Sequence, residues 1–256
     1  MPPRRRSMPG ALAAAGMLAG VLSGCTGADA RDRAPGDAIT QEEAAGLAGL
    51  LQRNYQRGGA EFVVTAPYGR EAVLTLTGEV DYRRAEGRAQ SVTRVGDGAE
   101  RTATMFFTAE ELWFGELPGL EGALAADGAE GAEFLRRPTA AVDDGTADLV
   151  DVLVAAVLNL SGSRADAPES FLDGWTWQGQ RSIDSRLCSL FAGPDGATVA
   201  VDAADSLLLQ YVTTLDADIE ITVTLAGHGR QDVDLPAATV TAAATDHPEI
   251  VEALGI

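Results

Sequence analysis

The sequence predicts an α+β fold in which one large, curved antiparallel β-sheet, a half-barrel, wraps over two or more helices. Three observations carry that expectation. Two groups of about five segments each alternate apolar and polar residues with the period of a strand. A capped amphipathic helix precedes the first group, and a second helix, apolar nearly all round, separates the two. A sheet with one dry and one wet face needs cover for the dry one, and helices laid across it supply that cover.

Taken in order, the 256-residue chain begins with a segment built for export. Residues 1–10 carry Arg4, Arg5 and Arg6, residues 11–22 are apolar or small, and Leu22-Ser23-Gly24-Cys25 closes the segment. This charged, apolar, small-residue order is that of a signal peptide, here residues 1–24, ending in a bacterial lipobox. Its apolar run of about 14 residues falls short of the roughly 20 that a helix needs to span a bilayer. The expected fate is therefore a diacylglyceryl group on the Cys25 thiol and cleavage before it. One acyl chain binds a membrane marginally, whereas two or three anchor it for good. Arg5-Arg6-Ser7-Met8-Pro9 lacks the second apolar residue usual in twin-arginine signals, which favours the Sec route. The expected location is the outer face of the cytoplasmic membrane. From Cys25 to Ile39 the chain is poor in apolar residues and reads as a flexible tether, with a mean reach of roughly 20 Å.

Residues 40–256 read as a single domain. Thr40 and Glu43 form a capping box, and Ala44, Leu47, Ala48, Leu51 and Tyr55 recur at helical spacing, predicting an amphipathic helix over 41–57 that Gly58-Gly59 ends. Strands follow at 61–65, 72–83, 87–95, 101–108 and 111–115. In the second, Leu74, Leu76, Val80 and Tyr82 share one face while Thr75, Thr77, Glu79 and Asp81 share the other. Ala85-Glu86-Gly87 and Gly96-Asp97-Gly98 supply positive-φ turns, so neighbours pair antiparallel. Residues 116–145, interrupted by Pro118, Gly119, Gly122, Gly128, Gly131 and Pro138, read as loop with at most a short helix. The apolar helix covers 147–160. A second strand group then occupies 175–183, 186–192, 197–202, 207–215 and 219–226, with a hairpin turn at Asp195-Gly196 and another connection at Ala203-Ala204-Asp205.

Composition narrows the chemistry. Net charge is −19, and removal of a leader with three arginines and no acid takes it to −22. Such a surface repels nucleic acid and anionic headgroups. Once Cys25 is lipidated, Cys188 has no disulfide partner, and in Leu187-Cys188-Ser189-Leu190-Phe191 it reads as a small buried hydrophobe. A hydrolase needs an activated nucleophile beside a base, yet only His228 and His247 are present, with no Gly-x-Ser-x-Gly elbow. Zinc-binding spacings are missing too, and a Walker phosphate loop needs a lysine this chain lacks. Asp143, Asp144, Asp148 and Asp151 cluster at the start of the apolar helix. Without the alternating ligands of a calcium loop, they fit capping by Asp144 or Thr146 and an acidic first turn. No enzyme, metal or cofactor is therefore expected.

Several local patterns then resemble one group of proteins. These are the lipobox cysteine, the capped first helix, Thr77-Gly78-Glu79-Val80-Asp81-Tyr82, the apolar helix, Ala200-Val201-Asp202 with Leu207-Leu208 after a short turn, and Val223-Thr224-Leu225 running to Gly227-His228-Gly229 and Pro236. In this arrangement the chain resembles the LolA-like and LppX/LprG-like envelope lipoproteins, the latter characteristic of actinobacteria. The resemblance implies an incomplete barrel over helices with an apolar cavity between them, and a carrier of lipids or acylated molecules. Trp175 and Trp177, two apart on a strand, point to one side and either pack on the helices or line such a cavity. Leu153, Val157 and Leu190 are pocket candidates on the same logic.

Two functions of different kinds follow. One is a non-catalytic binder or carrier of a lipid or glycolipid, driven by the hydrophobic effect. The other is a tethered interaction module, solid inside, whose acidic exterior engages an envelope protein.

Overall fold

A computed structural model describes residues 33–256 except 69–71, 97, 99, 142–146 and 216–218. The leader at 1–24, Cys25, and Asp143, Asp144 and Thr146 lie outside the described residues. Ala34–Ile256 forms one compact unit.

Thr40 opens the first helix as expected: its Oγ1 accepts from the Glu43 amide at 3.2 Å, and the Glu43 carboxylate accepts from the Thr40 amide at 2.7 Å. The single helix expected over 41–57 is two, α1 (Gln41–Ala48) and α2 (Leu50–Arg57), parted at Gly49. Arg53 crosses that joint, donating to the carbonyls of Gly46 and Ser206. A Cβ on residue 49 would lie 2.6 Å from its guanidinium. Gly58, at φ 103°, ends α2.

Six strands follow: β1 (Gly59–Tyr68), β2 (Ala72–Asp81), β3 (Glu86–Val95), β4 (Arg101–Thr108), β5 (Glu111–Gly115) and β6 (Phe134–Pro138), with α3 (Leu120–Ala126) before the last. Then come α4 (Leu149–Leu158), α5 (Glu169–Leu172), and β7 (Thr176–Ile183), β8 (Arg186–Ala192), β9 (Thr198–Asp202), β10 (Leu208–Leu215) and β11 (Ile219–Ala226). Two short elements, β12 (Thr241–Ala243) and α6 (Pro248–Leu254), close the chain.

Among the described residues, twelve strands make one sheet in the order β12-β6-β5-β4-β3-β2-β1-β11-β10-β9-β8-β7. Each strand group is a meander, and β11 folds back to pair antiparallel with β1, which fuses the two. All pairs are antiparallel except β12 with β6. The sheet is curved and open, so the α+β half-barrel architecture is the one observed. On its concave face Leu76, Val80, Phe107, Leu112, Ile221 and Val223 meet Leu47 of α1, Leu50 of α2, and Leu153, Val154 and Val157 of α4 in one core. α4 runs through that core between the two strand groups, which explains why its apolar residues go nearly all round.

Three further expectations change. β6 falls inside the stretch read as loop; its five residues hold two arginines and end on proline, too short for periodicity to show, and it is completed by pairing with β5 and β12. Gly87 does not supply a turn. Ala85, at φ 53°, does so, while Gly87 lies within β3, where a Cβ would come 2.0 Å from the Phe107 ring. The expected tether through Ile39 is held from Ala34 onward. Gly36 N donates to Trp177 O and Trp177 N to Asp37 O, both at 2.8 Å, and Ile39 is buried. This short run caps the edge of β7 because its backbone pairs there, a contact that composition does not reveal.

Candidate functional site

A cavity of about 230 Å³ opens where α1, α2, α4 and α5 meet the sheet at β9 and β10. Leu47 of α1 and Leu50 of α2, either side of the joint at Gly49, line it together with Ala156 of α4. The small alanine side chain leaves the space that a larger residue on α4 would fill. Val199 and Leu208 make the sheet side. At the rim Trp175 stands with its ring 5.3 Å from that of Phe171 and tilted 49°, with Tyr211 also lining the site. Trp175 is placed by both neighbours: its carbonyl accepts from the Ile39 amide, and β7 begins at the next residue. Asn159 and Asp166 are the polar groups at the lining.

The candidate residues are not all brought together. Trp175 and Trp177 both pack on the main core, yet only Trp175 lines this cavity. A bulge between Trp177 and Gly179 shifts the register of β7 just past it. Leu153 and Val157 are 0% exposed and belong to the main core, and neither lines the cavity that their helix neighbour Ala156 borders. Leu190 sits on the other side of the sheet, in a small cluster with Cys188, Ala200 and Leu209. Strand alternation explains this placement, since its neighbour Phe191 faces the main core. Phe171, Tyr211 and Ala156 carry no sequence signal that marks them for the site. Phe171 belongs to a four-residue helix and Tyr211 to a strand whose facing direction no local pattern sets.

A second cavity, of about 250 Å³, lies near the start of α4, between Leu74, Phe114 and Leu149 and the residues ending α6. Arg137, on its wall, belongs to a buried ion pair. The Arg137 guanidinium gives 2.9 and 2.7 Å contacts to both oxygens of Asp151 and lies 5.5 Å from the centre of the Phe114 ring. Asp151 also accepts from the Ala140 amide at 2.9 Å. The carboxylate expected to serve the helix dipole thus has a cationic partner from β6, Arg137, which also reaches Asp148 at 3.5 Å.

Elsewhere, burial, with Asp202 nearby, pushes the Cys188 thiol up from its ordinary value. Burial opposes ionisation of Asp202, but the amides of Ala204 and Asp205 and the Arg186 guanidinium outweigh it and hold that carboxyl below the usual range. Both ring nitrogens of His228 are buried and make no hydrogen bond of ordinary geometry among the described residues. Among the described residues, no group of three or more His, Cys, Asp and Glu side chains gathers as it would to hold a metal. No described helix is long and apolar enough to cross a membrane.

No protein-family model and no curated protein matches the chain. Among solved structures, the chain is similar to an uncharacterized conserved protein from Thermus thermophilus, at 10% identity over 75% of this chain and 94% of that one, with a TM-score of 0.37. It is also similar to a LolA superfamily protein from Nitrosomonas europaea, at 10% identity over 77% of this chain and 96% of that one, with a TM-score of 0.25. Neither likeness carries an activity to this chain.

Proposed function

We propose that this chain is a lipoprotein, acylated at Cys25 and held at the outer face of the cytoplasmic membrane, whose half-barrel binds the apolar part of a lipid or acylated molecule without covalent chemistry. The observation that carries the reading is the apolar cavity beside Trp175, roofed by helices and floored by the sheet. At about 230 Å³ it is smaller than the roughly 300–1,000 Å³ of pockets that enclose a whole drug-sized ligand. It suits a segment of one acyl chain, with the remainder of the molecule outside the rim. Each methylene taken from water contributes about 0.8 kcal/mol, so a few suffice for measurable retention. Trp175, Phe171 and Tyr211 offer an apolar body and, in the indole and phenol, a polar tip at the boundary.

The test is native mass spectrometry with lipid extraction on residues 26–256, which include the whole compact unit, exported without the acylated cysteine and purified from an actinobacterial host. A stoichiometric bound lipid is expected, and Ala156→Trp, which fills the cavity, should abolish it while leaving the thermal transition in place. A clean apo mass together with no uptake of added acyl probes would sink the carrier reading.

The solid packing around Leu153 and Val157 and the net charge of −19 support a second reading, an interaction module, on a different surface of the molecule.

A further inference from the structure

The convex face of the sheet, away from the helices, carries a groove of about 650 Å³ that the carrier reading does not use. Strand register defines it. One row across the sheet runs Glu61, Glu79, Arg88, Phe106, from β1 through β4, with each residue directly opposite the next. The adjacent row runs Val63, Thr77, Gln90, Thr104, Gly115, Phe134, from β1 through β6. Short side chains in that second row leave the depression. At its β6 end the Phe134 ring lies over Gly115, where a Cβ would come within 2.4 Å, and meets the Phe106 ring edge-on at 5.7 Å. Neither phenylalanine is fully covered, and Val63 at the other end is 41% exposed.

The charges in this groove do not balance. Glu79 is paired with Arg88 at 2.9 Å. Glu61, and Glu116, which accepts from the Thr104 hydroxyl, have no cationic partner among the described residues, and both are exposed. The groove therefore joins an aromatic pair to two uncompensated carboxylates, on a chain of net charge −19. Elsewhere the same molecule shows what completes such a set: the Arg137 guanidinium lies over the Phe114 ring while Asp151 takes both of its Nη groups. A guanidinium stacks on an aromatic face and meets a carboxylate with its edge, which an ammonium does less well, and it brings the positive charge that a neutral sugar lacks.

We propose that this convex groove docks an extended, arginine-bearing segment of a partner protein. From β1 to β6 the groove crosses five inter-strand spacings of about 4.8 Å, roughly 24 Å, which an extended peptide covers with about seven residues at about 3.3 Å each. One arginine meets Glu61, a second stacks on Phe106 and pairs with Glu116, and small polar residues between them lie over Thr77 and Gln90.

The experiment is fluorescence anisotropy at low salt on the full exported chain in nonionic detergent. The probe is a seven-residue peptide with arginine at both ends and serine and threonine between. Its citrulline counterpart, in which each guanidinium becomes a neutral urea, is the control. The arginine peptide should bind at least about tenfold more tightly than the citrulline one. The isosteric pair Glu61→Gln with Glu116→Gln should remove most of that advantage, as should Phe106→Leu, while Ala156→Trp should leave it intact. Equal binding of the two peptides would overturn the proposal. So would an equal loss on Glu42→Gln with Glu249→Gln, two exposed acids outside the groove, since that would show attraction to net charge alone. Tighter binding of a neutral oligosaccharide such as maltoheptaose than of the arginine peptide would likewise overturn it.

Discussion

Asp151 has no exposed surface, and its two oxygens engage Arg137, a side chain that is itself only 14% exposed. Buried charges of this kind depend on each other: removing one partner leaves the other in a medium that solvates it poorly. Asp151→Ala is accordingly expected to lower the unfolding free energy by about 3–5 kcal/mol, read from urea titration, whereas Asp151→Leu combined with Arg137→Met should recover most of that loss. His228 gives a prediction in pH. Burial, followed by the nearby Arg186 charge, lowers its pKa from the ordinary value of 6.5, Arg57 acts the same way, and Asp205 and the Leu208 backbone work against them. Above that value both folded and unfolded chains hold the imidazole neutral. As pH falls through it the unfolded chain takes up a proton that the folded one resists, so stability declines on the acid side. His228→Phe should therefore flatten the dependence of the urea midpoint between neutral pH and about pH 5, a slope that would stay unchanged if the ring titrated normally.

At the scale of elements, the capping box shows how local information becomes structure. Thr40 and Glu43 satisfy each other's amides across three residues, so the start of α1 was legible before any tertiary contact was known. Thr40→Ala should cost about 1 kcal/mol, seen as a lower urea midpoint at unchanged slope. The break at Gly49 was not legible in the same way, because the periodicity of Leu47, Ala48 and Leu51 continues across it. The joint rests on Arg53, which reaches Ser206 on the turn after β9, a contact 153 positions away in the chain. β6 makes the complementary point. Its short, arginine-rich run becomes a strand because β5 offers five paired residues beside it, and Arg137 within it then serves Asp151.

For the whole molecule, the decisive contact is β1 against β11, which joins two meanders into one open sheet and leaves β7 and β12 as its edges. An uncovered edge strand presents free amides and carbonyls to another chain. Residues 34–39 cover the start of β7 through the hydrogen bonds of Gly36 and Asp37. A chain shortened to begin at Thr40 should self-associate with rising concentration in sedimentation velocity, where the longer chain stays at one size. The strand periodicity, the helix cap and the over-apolar α4 were enough to determine an antiparallel sheet over helices, because each is set by neighbours two to four positions apart. The expectation of a lipobox ending at Cys25 likewise comes from a local pattern, read without any fold. Which residues share a site is a different matter. Leu153, Val157 and Ala156 occupy one helix, but only the last borders the cavity beside Trp175, and Leu190 turns to the opposite face of its strand. Those assignments depend on where α4 lies against strands from both meanders, and the convex groove depends on register across six of them. Sequence alone determined the elements and their wet and dry faces, since backbone geometry fixes those periods; the tertiary structure decided the sites, since long-range packing selects which side chains meet.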